Sequence, residues 1–158
     1  MKMALRNIRK EGDPILAKIS KPVWEMTDKT KVLIEDMLET MYAANGVGLA
    51  AVQVGVLKRI VVIDVSEEGN DPIILINPEI IDKSGSQTGD EGCLSVPGKS
   101  GVVTRASHVK VKAFNEKMEV FEIEGDELLA RAFQHEVDHL DGILYTSKVE
   151  GELKTSDD

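Results

Sequence analysis

The sequence predicts an α+β fold, with mainly antiparallel β-sheets packed around a central helix that carries a His-Glu-x-x-His motif, and a further helix towards the N-terminus. Three observations lead there. Apolar residues recur at helical spacing in one early and one late segment. β-Branched apolar runs and a hairpin-like alternation fill the interval. The order helix, strands, helix lacks the strand–helix alternation of a parallel sheet.

The first ten residues are basic, but Glu11-Gly12-Asp13-Pro14 follows them where a secretory signal would need an apolar stretch. Between about Asp28 and Ala44, Val32, Leu33, Met37, Leu38, Met41 and Tyr42 mark one face of a helix. Thr27 or Asp28 suits its start, and Asn45-Gly46 its end, because both residues tolerate the left-handed conformation. Arg59–Val65 is apolar and β-branched, which predicts a buried strand, and Glu67–Asp71 turns the chain. Ile73–Pro78 predicts a second strand whose proline favours an edge or a bend. From Gly101 to Glu124 the pattern is that of a hairpin. Val109, Val111 and Ala113 alternate with lysines, Asn115-Glu116-Lys117 turns, and Val120–Ile123 returns. Asp126 is placed to cap a last helix containing Leu128, Leu129, Ala132, Phe133, Val137 and Leu140, which Asp141-Gly142 ends. Residues 1–148 are expected to form a single catalytic domain. The polar, acidic residues 149–158 are expected to be a short tail, frayed from Glu150 onward.

A chain of 158 residues suits one domain. With 42% hydrophobic and 30% charged residues, a soluble globular protein is expected, and no run approaches the roughly 18 apolar residues of a membrane span. The single cysteine, Cys93, excludes an internal disulfide and any structural zinc site built on two or more cysteines. A cytoplasmic location fits these features. The formal charge is 19 − 28 = −9, and no basic stretch interleaves with aromatics, so direct nucleic-acid binding is not expected.

The chemistry centres on His135-Glu136-Val137-Asp138-His139. Residues four apart on a helix are neighbours, roughly 5–6 Å between Cβ atoms, so both imidazoles can reach one metal ion. Glu136, one residue after the first histidine, can then reach a metal-bound water. A catalytic site of this kind uses three protein ligands and keeps one position open. Cys93 is the best candidate for the third, because the glycines before it and Pro97-Gly98 after it let the backbone bend tightly around a thiolate. A cysteine with two histidines suits iron, zinc, cobalt or nickel, and the residue types alone do not choose. In Gly46–Gly55, Gln53 is the one polar side chain of an otherwise apolar run. It either ties two strands together or points its amide N–H into a reaction site as an oxyanion donor.

Gly46-Val47-Gly48-Leu49-Ala50-Ala51-Val52-Gln53, Glu91-Gly92-Cys93-Leu94-Ser95 and Gln134–His139 together resemble the three signature motifs of bacterial peptide deformylases. They stand in the family's order and at its spacings, and the resemblance runs from about Met3 to Lys148. It implies that Cys93, His135 and His139 are metal ligands, for Fe²⁺ in the cell, with Zn²⁺, Ni²⁺ or Co²⁺ as substitutes. It implies that Glu136 is the general acid/base and that Gln53 and the backbone N–H of Leu94 are oxyanion donors. Val47, Gly48 and Gly92 would line the peptide cleft, and Leu128, Ala132 and His135 would border the pocket for the methionine side chain. The implied reaction is attack by metal-generated hydroxide on the formyl carbon of N-formylmethionyl nascent peptides, releasing formate.

A monomer is expected, with a transient ribosome contact. Many relatives dock through a longer, partly basic terminal helix, whereas this chain ends in an acidic segment, so that role carries over less directly than the chemistry. Asp138 faces away from a metal held by both histidines, and pairing with Arg105, orienting a ligand and facing water all remain open. Arg131 stands where some relatives are apolar, and is expected either to contact substrate backbone or to face water. Two alternatives are weaker. A general HExxH metallopeptidase would usually supply a third histidine or acid. A metal-stabilised, non-catalytic module would be marked by loss of Glu136 or Gln53, and both are present.

Overall fold

The computed structural model describes residues 4–155, and the expectations that touch residues 1–3 and 156–158 lie outside it. Helix α1 spans Asp28–Ala43, and Thr27 caps it by accepting the Thr30 N–H at 3.1 Å. Strand β1 (Gly48–Ala50) runs into a 3₁₀ turn, Ala51–Val54. Strands β2 (Ile60–Ile63), β3 (Ile73–Ser84), β4 (Gln87–Cys93), β5 (Val96–Arg105), β6 (His108–Phe114) and β7 (Val120–Asp126) follow. Helix α2 (Glu127–Leu140) carries the His-Glu-x-x-His residues, and β8 (Glu150–Thr155) closes the described chain.

All strand pairs are antiparallel, in a five-stranded sheet of order β1-β2-β3-β6-β7 and a three-stranded sheet of order β4-β5-β8. The fold is therefore α+β with two helices and antiparallel sheets. Strand alternation gives each face of the larger sheet its own helix. On one face Ile60, Val62 and Ile76 pack with Leu33, Ile34, Met37 and Met41 of α1. On the other Val61, Ile63, Leu75, Val109 and Val111 pack with Ala130, Phe133 and Leu140 of α2. Both helices thus form because each has an apolar stripe with a sheet face to cover it.

Three expectations change. Strand β3 bends at the proline, as expected, but runs on beyond Pro78. The strand bulges between Ile76 and Glu79, with Asn77 at φ 52°, and continues to Ser84. The Asn77 side chain holds the bulge by accepting the Val23 N–H at 2.8 Å and donating to the Val23 carbonyl at 2.7 Å. Asp126 makes no side-chain cap to α2, because its carboxylate instead binds His108 Nδ1 across the hairpin at 2.7 Å. The end of the described chain is not frayed. Glu150–Thr155 pairs with β5 although every residue of it is exposed, so backbone hydrogen bonding holds it without a buried face.

Asp64, just past β2, anchors the following loop to α1. It accepts hydrogen bonds from Tyr42 Oη at 2.6 Å, from the N–H of Ser66 at 2.9 Å and of Asp71 at 3.0 Å, and from the Ser66 hydroxyl. Burial alone would raise its pKa, but the bonds from Ser66, Tyr42 and the two backbone N–H groups outweigh it and hold the carboxyl down at about 2. Because the folded value is depressed, the stabilisation is present above the unfolded value near 3.8 and is lost as pH falls through about 2. Asp64→Asn should therefore cost roughly 2 kcal/mol at pH 7, and the gap to wild type should close between pH 4 and about 2. Urea denaturation of both proteins across that range checks this, and a gap unchanged at pH 2 would rule out the ionised carboxylate as its source.

Candidate metal centre and active site

Two substructures meet at the site. The β4–β5 hairpin delivers Cys93 at its tip, and α2 delivers His135, Glu136 and His139. One possible ligand atom from each of Cys93, His135 and His139 lies within 4.8 Å of the other two. Cys93 Sγ is 3.2 Å from His139 Nε2, and the two imidazoles stand edge to face with centroids 4.9 Å apart. His139 is fully buried and His135 nearly so.

Behind the histidines lies a buried charge cluster of which sequence reading offered only the Asp138–Arg105 pair. Glu91 Oε2 sits 2.6 Å from His135 Nδ1 and accepts Arg105 Nη2 at 2.6 Å, while Oε1 accepts Arg105 Nε at 3.1 Å and Arg131 Nη1 at 2.7 Å. Arg105 Nη1 reaches on to Asp138 Oδ2 at 2.7 Å, so Asp138 pairs with Arg105. Burial would raise the Glu91 pKa, but hydrogen bonds from His135 and Arg105 hold it far below the usual carboxylate range. Arg131 is 8% exposed and gives its Nη1 to Glu91. For Glu91 the signal in the sequence was that it precedes Cys93 by two residues in a recognised motif; a distant arginine pairing with it has no local mark.

Gln53 is buried. Its Oε1 accepts the Ala50 N–H at 2.9 Å, and its Nε2 donates to Ser95 Oγ at 3.0 Å and lies 3.6 Å from Cys93 Sγ. The Ser95 N–H also points at the sulfur, at 3.4 Å. The glutamine thus ties its own turn to Ser95, between β4 and β5, and holds its amide beside the Cys93 sulfur.

Glu136 is 4% exposed, and its Oε1 has no hydrogen-bond partner. Burial pushes its pKa up to about 7, against the lowering effect of His135. A carboxyl poised there is suited to exchanging protons at neutral pH. A Cβ at Gly48 would fall 2.5 Å from Glu136 Oε2, so only glycine lets β1 approach this carboxylate. In front of these residues opens a cavity of about 440 Å³. Val47, Gly48, Gln53, Gly92, Cys93, Leu94, Leu128, Ala132, His135 and Glu136 all line it, and His139 lies behind, against the sulfur.

A sequence profile of the polypeptide deformylase family matches residues 5–155. The peptide deformylase of Lachnoclostridium phytofermentans is 69% identical over 151 residues, 96% of this chain and 93% of that protein. The crystal structure of a peptide deformylase from Legionella pneumophila superposes with a TM-score of 0.90 at 45% identity, over 93% of this chain and 87% of that one. The peptide deformylase from Thermotoga maritima gives 0.89 at 43% identity, over 94% and 99%. With residues 5–155 matched by the family profile and a relative 69% identical over 96% of the chain, the chain belongs to the peptide deformylase family.

Proposed function

We propose that this enzyme removes the formyl group from the N-terminal N-formylmethionine of newly synthesised proteins, with Glu136 as general acid/base. The observation that carries the reading is the convergence of Cys93, His135 and His139 beside an unpartnered, buried Glu136 at the inner wall of one cavity. The donor set fits a divalent ion. His135 gives its Nδ1 side to the Glu91 carboxylate, which leaves Nε2 for a metal, the usual arrangement around a ligating histidine. A thiolate with two imidazoles suits Fe²⁺, and Zn²⁺, Ni²⁺ or Co²⁺ as substitutes. Such an ion supplies Lewis acidity that makes water nucleophilic near neutral pH.

The chain's own groups do the rest. Glu136 takes a proton from the attacking water at a carboxylate oxygen and returns it to the departing methionine nitrogen. Gln53 Nε2 and the Leu94 N–H meet the charge that grows on the formyl oxygen; such a donor is typically worth about 10²–10³ in turnover. Val47, Gly48 and Gly92 line the cleft for the peptide, and Leu128, Ala132 and His135 border the pocket for the first side chain. We assign the catalytic domain to residues 1–148, with the short acidic segment 149–158 added along its smaller sheet through β8. The reading extends to a cytoplasmic monomer with at most a transient ribosome contact. Among the described residues no helix is long and apolar enough to cross a membrane.

The test is formate release from formyl-Met-Ala-Ser by protein purified without oxygen, with metal assayed on the same sample. Chelator-sensitive release with roughly one ion per chain is expected. No release from fully metallated protein would overturn the reading. Cys93→Ser should lower metal retention by one or more orders of magnitude on dialysis, since a hydroxyl is a poor substitute for a thiolate. Full occupancy in that variant would remove Cys93 from the ligand set.

A further inference from the structure

Leu128, Arg131, Ala132 and His135 recur at i, i+3, i+4 and i+7, so they share one face of α2, and all four line the cavity. Leu128 and Ala132 are what a pocket for an apolar side chain needs, and Arg131 is not. Its guanidinium is held by one charge-assisted bond, from Nη1 to Glu91 Oε1 at 2.7 Å, which balances its charge at that wall. Nη2 lies beside Gly89 of β4, where a Cβ would make only an ordinary contact with it at 3.7 Å. Nε and Nη2 enter no hydrogen bond among the described residues, yet neither is sealed away from open space. Arg131 itself lines the cavity, and Nε and Nη2 are the donors it has left there.

We infer that Arg131 sets the side-chain selectivity of this pocket by donating an N–H to a hydrogen-bond acceptor at the end of the substrate's first side chain. The inference rests on the deformylase reading and on this pocket taking that side chain. A thioether sulfur is a weak, polarizable acceptor, a methylene is none, and a sulfoxide oxygen is a strong one. The pocket therefore prefers methionine to a hydrocarbon chain of equal length, and it admits oxidised methionine, which a purely apolar pocket would reject.

The experiment compares kcat/KM of the metal-loaded enzyme for Ala-Ser peptides that begin with formyl-methionine, formyl-norleucine or formyl-methionine sulfoxide. Wild type should favour methionine over norleucine about fivefold, chiefly through KM, and accept the sulfoxide within about tenfold of methionine. R131M should bring methionine and norleucine within about twofold of each other and cost the sulfoxide about 100-fold, while R131K retains part of both preferences. Equal rates for methionine and norleucine with rejection of the sulfoxide by wild type would overturn the inference without any variant. So would R131M lowering all three substrates by one common factor, the mark of a mere clasp for Glu91. Wild type that releases formate from none of the three would instead defeat the deformylase reading itself.

Discussion

Glu136→Ala is expected to keep its metal and to lose at least about 10²–10⁴-fold in turnover. The carboxylate is not a ligand candidate, since the three converging donors come from Cys93, His135 and His139. Glu91 cannot replace it. It already accepts from Arg105, Arg131 and His135, and its proton affinity is held far too low for a base at neutral pH. Glu136 is also buried with one oxygen unpartnered, a costly state for the fold. Truncation should therefore leave thermal stability equal to or above that of wild type, while activity disappears. Turnover, metal content and melting temperature measured on one preparation test all three statements. Activity within tenfold of wild type would end the acid/base assignment.

The largest stability effect should come from Glu91→Ala. It strands the Arg131 guanidinium and the His135 Nδ1–H and leaves Arg105 with Asp138 alone, where Arg105, Arg131 and His135 are each at most 8% exposed. Breaking a buried ion cluster by removing one partner costs about 3–5 kcal/mol. The same change frees the His135 ring to rotate, and loss of such an outer partner typically lowers metal affinity about 10–100-fold. Glu91→Gln, which keeps the shape and one acceptor, should lose less on both counts. Denaturation midpoints and competition with a chelator separate the two effects. An alanine variant within about 1 kcal/mol of wild type would mean that Arg105 and Arg131 satisfy themselves elsewhere.

The larger sheet and its helices could be read from the chain because their burial follows a period. Leu33, Met37 and Met41 mark α1, while Val109, Val111 and Ala113 mark β6. The smaller sheet could not. Gln87–Cys93 has no apolar alternation, and the buried residue at its centre is Glu91, an acid that composition alone would place in water. The hairpin expected from Gly101 begins instead at β6, because Gly101–Arg105 completes β5 and pairs in the other sheet. Strand β8 has no buried face and left no periodic mark. In the site, the metal-ligand candidates, Glu136 and Gln53 stood within recognisable motifs. Arg105 and Arg131 did not, since a long charged side chain gains a buried partner only when the tertiary fold brings one.

Cys93 comes from the smaller sheet, and both histidines come from the helix that rests on the larger one. An ion gripped by all three would rivet the two halves together across 46 residues of chain between Cys93 and His139. Loading then becomes part of folding, and the added stability grows with the logarithm of free ion concentration. A copy short of its ion opens more readily along that seam, and proteases that act on the opened state would remove it before its loaded neighbours.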